Sequence, residues 1–326
     1  MKRFKNIVCV VESGMTCKPA LERAVTLAQN NQARLTVVEV IPRITAGIGM
    51  PDGGPISADL QAAMVSAHSQ DLQAQVEPFR KGIEINTRVL QGVAFLEIIR
   101  EVMRKGHDLV IKVPETRDWL DHLFTSEDMQ LLRNCPCPVW LIKPQAPKSY
   151  RRILVAVDVD DASPPKELAS RRLLNQQILQ IASSMALSDF AELHIVNAWE
   201  AIGESTMRSA FMRTPEVDII DYVEQVRLQH KTRLDELLKE VIGNMNQDAM
   251  DYLKPHTHLV KGSARKEIPI LAKQIEADMV IMGTLGRTGI PGFIMGNTAE
   301  TILNQIDCSV LAIKPPGFET AVTLEE

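Results

Sequence analysis

Five short blocks of this chain occur twice, in the same order and at similar spacing. Ile7-Val8-Cys9-Val10-Val11-Glu12 is matched by Ile153-Leu154-Val155-Ala156-Val157-Asp158, an unbroken apolar run ending in an acid each time. Ala33 to Val40 is matched by Ala191 to Ala198, and Val89-Leu90-Gln91-Gly92 by Leu259-Val260-Lys261-Gly262. Asp108-Leu109-Val110-Ile111 is matched by Asp278-Met279-Val280-Ile281, and Cys137 to Pro144 by Cys308 to Pro315. A repeat of this kind constrains the fold before any single residue does, because each copy must be one folding unit. A chain of 326 residues accommodates two such units, each of ordinary domain size.

The blocks are aliphatic and continuous rather than alternating, the pattern of strands buried on both faces of a parallel sheet. Between them lie segments of helical period: Leu21, Ala24, Val25, Leu27 and Ala28 after the first strand, and Ile219, Val223, Val226, Leu234, Leu237, Leu238 and Val241 before the third strand of the second half. Strand–helix alternation predicts an α/β fold of two tandem, doubly wound, parallel five-stranded sheets. Residues 1–145 and 151–326 are the expected domains. The segment Pro144 to Tyr150, with two prolines, reads as a stiff, short linker, so the domains should lie side by side. Gly47 to Pro55 reads as a mobile loop of the first half.

Composition removes several function classes. The formal net charge is −5 with no basic stripe, which argues against nucleic acid as a partner. No apolar run approaches the ~20 residues that span a bilayer. The apolar stretch Ile7 to Val11 is too short for a signal-peptide core, and a cytoplasmic location follows as the expectation. The cysteines, Cys9, Cys17, Cys135, Cys137 and Cys308, are odd in number and scattered, so a disulfide framework is not expected. Cys135-Pro136-Cys137 lacks metal-site spacing and reads as small apolar residues in a turn before a strand.

The segment that carries chemistry follows the strand Met279 to Met282. It runs from Gly283-Thr284-Leu285-Gly286-Arg287 through Gly296-Asn297-Thr298-Ala299-Glu300 into a helix. In open α/β sheets, ligands bind at the carboxyl ends of the strands. A phosphate there needs close backbone approach, which glycine permits, and free N–H donors, which a loop entering a helix supplies. Asn297 reads as the helix cap, with Glu300 three residues later as in a capping box. Turn glycines and a simple cap remain the competing reading of these residues alone.

The spacing Gly283-x2-Gly286-x9-Gly296 resembles the ATP-binding signature of the universal stress protein family, and the resemblance extends over nearly the whole chain, in the tandem, two-domain form of that family. It implies a Rossmann-like fold of the adenine nucleotide alpha hydrolase type, strand order 3-2-1-4-5 in each half, and binding of ATP or a related adenine nucleotide, with or without Mg2+, in the second domain. By the family pattern, Val157 and Asp158 would sit near adenine and ribose, Ala198 would offer backbone contacts to the base, and Gly283, Thr284, Gly286, Gly296, Asn297 and Thr298 would surround the phosphates. Where the family carries Ser or Thr after the last glycine, this chain has Asn297; Thr298 offers a hydroxyl one residue later, or the Asn297 amide substitutes for it. Arg287 could pair with phosphate oxygens, or stand as a solvated loop arginine.

The matching segment of the first half, Val113 to Asp128, contains no glycine and carries Glu115, Asp118, Asp121, Glu127 and Asp128. Carboxylates repel a polyphosphate, at about 4 kcal/mol per like-charge pair at ~4 Å and an effective dielectric of ~20. No ATP is expected there, while Thr125 or Ser126 should still cap the following helix. His256 and His258 share one face of a strand and read as surface histidines rather than metal ligands, and His122 as an exposed loop residue. No Walker loop, dinucleotide fingerprint or nucleophile elbow occurs. A catalytic constellation is not evident, and any ATP hydrolysis should be slow. The expectation is a cytoplasmic stress-response regulator or protector that binds an adenine nucleotide; the alternative is an interaction or small-ligand module that binds none. Family domains commonly dimerise through their last strands, so Val139 to Ile142 and Val310 to Ile313 could pair within the chain as a pseudo-dimer, with a homodimer of chains also compatible.

Overall fold

The computed structural model describes residues 4–12, 17–44, 55–114, 124–162, 164–209, 212, 214–243, 245, 247–284 and 295–324. The glycine pair of residues 53–54, most of the acidic segment of the first half with His122, and the loop positions Gly286 and Arg287 lie outside the described residues.

The first half runs β1 (Asn6–Val11), α1 (Lys18–Asn31), β2 (Arg34–Ile41), α2 (Pro55–Val76), a 3-10 turn (Glu77–Phe79), β3 (Ile85–Gln91), α3 (Ala94–Lys105), β4 (Leu109–Lys112), α4 (Ser126–Asn134) and β5 (Val139–Leu141). The second runs β6 (Arg152–Ala156), α5 (Pro165–Asp189), β7 (Glu192–Trp199), α6 (Glu204–Met207), α7 (Glu216–Val241), α8 (Gln247–Leu253), β8 (His256–Lys261), α9 (Ala264–Gln274), β9 (Met279–Gly283), α10 (Asn297–Leu303) and β10 (Ser309–Ile313).

Each half has the order 3-2-1-4-5, all strands parallel within the half. The two sheets are not separate. β5 and β10 pair antiparallel, Leu141 opposite Val310 and Val139 opposite Ala312, which yields one ten-stranded sheet ordered β3-β2-β1-β4-β5-β10-β9-β6-β7-β8. The continuous apolar blocks lie where both faces are covered: all six residues of β1 are buried, as are the five of β10. One cluster, with Ile7, Cys9, Leu35, Ile153 and Ile195, packs under α1 and α5. The other, with Val8, Val10, Leu154 and Val280, packs under α3, α4, α9 and α10. Both clusters run through both halves.

The repeated glycines after the third strands have a backbone cause. Gly92 and Gly262 adopt φ of +145° and +139°, where a side chain is strained. Their N–H groups donate to Ile41 and Trp199 at the ends of β2 and β7. At the seam between the halves, Arg23 of α1 donates to Asp189 of α5 at 2.6 Å and lies 4.0 Å over the Tyr150 ring. Asp189 also accepts from the Tyr150 N–H, and Tyr150 meets Trp140 of β5 with ring centroids 6.0 Å apart.

Candidate functional site

In the second half, the carboxyl ends of β6, β7 and β9 bring Val157, Asp158, Ala198 and Gly283 to one rim of the sheet. Two buried asparagines, which sequence reading did not single out, clamp the turn after β6. Asn175 of α5 donates to the Asp158 carbonyl at 2.7 Å and accepts from its N–H at 3.3 Å. Asn197 of β7 donates to the Val157 carbonyl at 3.1 Å, and its Oδ1 faces His230 Nδ1 of α7 at 3.1 Å. Burial pushes the His230 imidazole down, which keeps it neutral in this network. The available signal was Asn197 itself, a polar residue inside an otherwise buried strand, where it must find partners.

Asp158 projects from that turn with 60% of its side chain open to solvent. Its Oδ1 accepts from the Asp160 N–H, and its Oδ2 lies 3.3 Å from Arg171 Nε. Crowding by the surrounding protein pushes the Asp158 carboxyl up, and Arg171 opposes that shift. Arg171 also donates to the Asp160 carbonyl at 2.6 Å, so a guanidinium already stands at the strand-end rim. Arg233 of α7 pairs with Asp161 beside it.

The glycine-rich segment begins and ends as a stitched loop. The Thr284 carbonyl accepts from the Gly296 N–H at 3.0 Å. Thr284 is wholly buried, and its hydroxyl accepts from Lys314 Nζ at 2.8 Å; its side chain thus faces the interior, and a ligand would meet its backbone. The cap assignment requires correction by one position: Gly296, which has no side chain to cap with, is the N-cap of α10, and Asn297 is the first helical residue. Asn297 and Thr298 are both exposed. Asn297 thereby has its amide free of the capping role that its residue type suggested.

Gly283 has a packing reason of its own. A Cβ there would stand 2.7 Å from Leu174 Cδ2 and 3.4 Å from Leu174 Cγ of α5. The glycine lets α5 approach β9, whatever its place near a ligand. Gly283→Ala is expected to cost on the order of 1–3 kcal/mol by overpacking. Leu174→Ala in the same background should recover part of that loss. Chemical denaturation of the three variants checks this; additive losses would refute the steric account.

The repeat-equivalent positions of the first half are filled differently. Glu12 stands where Asp158 does, and Lys112 of β4, 3% exposed, bridges Glu12 at 2.7 Å and Asp128 of α4 at 3.0 Å. Burial alone would depress the Lys112 ammonium; Asp128 and Glu12 outweigh it, and the net shift is upward. Thr125 caps α4 in a full capping box with Asp128. The chain's own carboxylate thus occupies the start of the helix where the second half has the exposed Asn297 and Thr298. Glu39 and His68, 3.0 Å apart, take the place of the Asn197–His230 contact, with a carboxyl group where the second half has an amide.

The histidines of β8 have a partner that the sequence pattern hid. His194 of β7 pairs in register with His256; its Nδ1 lies 3.0 Å from His258 Nε2, and its ring stacks on both. Among the described residues, no group of three or more acidic, histidine or cysteine side chains is arranged to hold a metal ion. Cys135 and Cys137 are buried at the turn into β5, with their sulfurs 3.6 Å apart. No helix among the described residues is long and apolar enough to cross a membrane.

These features coincide with a known family. The model of the universal stress protein family matches residues 3–143 and again 149–314. The chain is 30% identical over 333 aligned positions to universal stress protein E of Escherichia coli K12, covering 100% of this chain and 99% of that one. It is 31% identical over 329 positions to the universal stress protein E homolog of Haemophilus influenzae, covering 96% and 98%. In fold it is similar to the solved structure of a functionally unknown protein of Pseudomonas aeruginosa PAO1, with a TM-score of 0.70 and 24% identity over 96% of this chain and 93% of that one. Two tandem family domains joined through their last strands, with a glycine-rich loop in the second, make this chain a member of the universal stress protein family in its tandem form.

Proposed function

We propose that the second half binds ATP or a related adenine nucleotide and that the chain acts in the cytoplasm as a nucleotide-responsive stress regulator rather than as a fast enzyme. The observation that carries this reading is the Gly283-x2-Gly286-x9-Gly296 segment, whose described ends are joined backbone to backbone at the end of β9, on the same rim as Asp158 and Ala198. A base and ribose would lie over Val157, Asp158 and Ala198, and the phosphates against the glycines, Asn297 and Thr298, with Arg287 and Arg171 as cationic partners. Both Asp158 oxygens already face protein donors, so Mg2+ would arrive on the phosphates rather than on this carboxylate. In the first half, Glu12, Asp128 and Lys112 satisfy one another, and that half takes no nucleotide in this reading.

Titration calorimetry of the full chain with ATP and Mg2+ tests the proposal. The expected result is micromolar binding of one nucleotide per chain, lost in Gly286→Asp. No binding by the unmodified chain, with or without magnesium, would overturn it. The pairing of Arg171 with Asp158 would then favour the alternative, a module that uses this rim for a non-nucleotide ligand.

A further inference from the structure

The antiparallel seam puts the end of each last strand beside the start of the other. The residue after β10 therefore arrives where α4 turns into β5. That residue is Lys314, only 4% exposed. Its Nζ donates to the Leu132 carbonyl at 2.5 Å, to the Arg133 carbonyl at 3.2 Å and to the Thr284 hydroxyl at 2.8 Å. All three ammonium protons are thereby used. Two go to carbonyls of the last turn of α4, which have no intrahelical partners and favour a cation. The third goes to the residue at which the glycine-rich loop leaves β9. The loop's other end is held from the same place. Arg133 of α4 reaches Glu300 of α10 at 2.6 Å, and the Glu300 N–H donates to the Gly296 carbonyl at 3.0 Å. One helix end of the first half thus anchors both ends of the loop in the second.

Among the described residues the arrangement is not repeated on the other side of the seam. Lys143 is the repeat-equivalent of Lys314, two residues after β5, but its side chain is 28% exposed and its Nζ meets Asp307, at 2.6 Å to the carboxylate and 3.2 Å to the carbonyl, while its backbone N–H donates to Ser309 Oγ. It touches neither Lys112 nor the start of α4 among its described partners.

We propose that Lys314, together with Arg133, is a positioning residue through which α4 of the first half holds the two described ends, Thr284 and Gly296, of the second half's glycine-rich segment. The first half is then a required support for the loop rather than a second binding site. In its consequence for ligand this rests on the nucleotide reading above; in its consequence for the loop it does not.

The test uses the full chain as the unmodified protein, Lys314→Met and Arg133→Gln, with two readouts. The first is amide hydrogen exchange across Thr284–Gly296 without ligand. It is expected to rise in both variants, with β1 and β6 protected as before. The second is ATP affinity, expected to weaken on the order of tenfold in Lys314→Met and severalfold in Arg133→Gln. A further signature separates positioning from general weakening. Burial holds Lys314 down to about 8, with the Cys135 thiol as the titratable group that opposes this. ATP affinity should therefore fall as pH rises past that value in the unmodified protein and stay flat in Lys314→Met. Unchanged loop exchange in both variants would overturn the inference, as would equal ATP affinity in all three proteins. Failure of the unmodified chain to bind ATP would instead sink the nucleotide reading and leave the exchange result to decide this one. If Lys314→Met does not fold, Arg133→Gln, whose side chain is about a third exposed, carries both readouts.

Discussion

Lys112→Met is expected to destabilise the chain by about 3–5 kcal/mol, because it strands carboxylates in a buried setting. Asp128 is fully buried and receives Lys112 at 3.0 Å; Glu12 receives it at 2.7 Å. Asp128 keeps the Thr125 N–H and hydroxyl as donors, which places the cost nearer the lower end of that range. The sign with pH follows from the raised Lys112 ammonium: its contribution is complete below the ordinary lysine range and is lost only as pH climbs through the folded-state value. Urea unfolding at several pH values reads both effects. Adding Asp128→Asn to Lys112→Met should recover stability at neutral pH. A loss below about 1 kcal/mol, the range of exposed ion pairs, would mean that the triad does not hold this half together.

Trp140→Ala is the second large effect, expected at about 3–5 kcal/mol. Trp140 is 2% exposed and lies on β5 opposite Leu311 of β10, where the halves meet. Its indole N–H has no hydrogen-bond partner among the described residues, so its contribution is contact area and ring packing rather than polar pairing. It stands against Tyr150, with Arg23 above both rings, and Arg23 holds Asp189 across the seam. Removing the indole leaves a void beneath that bridge. The two halves share both hydrophobic clusters, so the unmodified chain should unfold as one cooperative unit. In Trp140→Ala the halves should begin to melt apart, with the calorimetric enthalpy exceeding the van't Hoff value. A single unshifted transition would show that the seam is not where the coupling lies.

Much of this architecture is legible in the chain because it depends on local pattern. The unbroken runs Ile7–Val11 and Ile153–Val157 are strands covered on both faces, and their recurrence alone implies two units of one fold. The merger of two sheets into one depends on a pairing between Val139–Leu141 and Val310–Ala312, which no spacing encodes. The glycine register of the loop is visible, but the partners of its ends are not. Lys314 belongs to the repeated Ile-Lys-Pro and looks the same as Lys143 in sequence; only the helix end above one of them makes it a buried donor. Asn175 and His230 sit on amphipathic helices where a polar residue normally marks the wet face, and their burial arises from the strand ends that they meet. The Asn297 cap assignment missed by one residue, the usual scale of uncertainty at a helix end.

The connection between β5 and β6, residues 142–151, is short and ties together two surfaces that bury each other. Their meeting is therefore an intramolecular event, governed by tether length rather than by how much of the protein a cell makes. Dilution cannot separate these halves, and the last strand of the half with the glycine-rich loop is paired with that of the half without one. Each chain brings its one glycine-rich loop and its loop-free half together at every expression level.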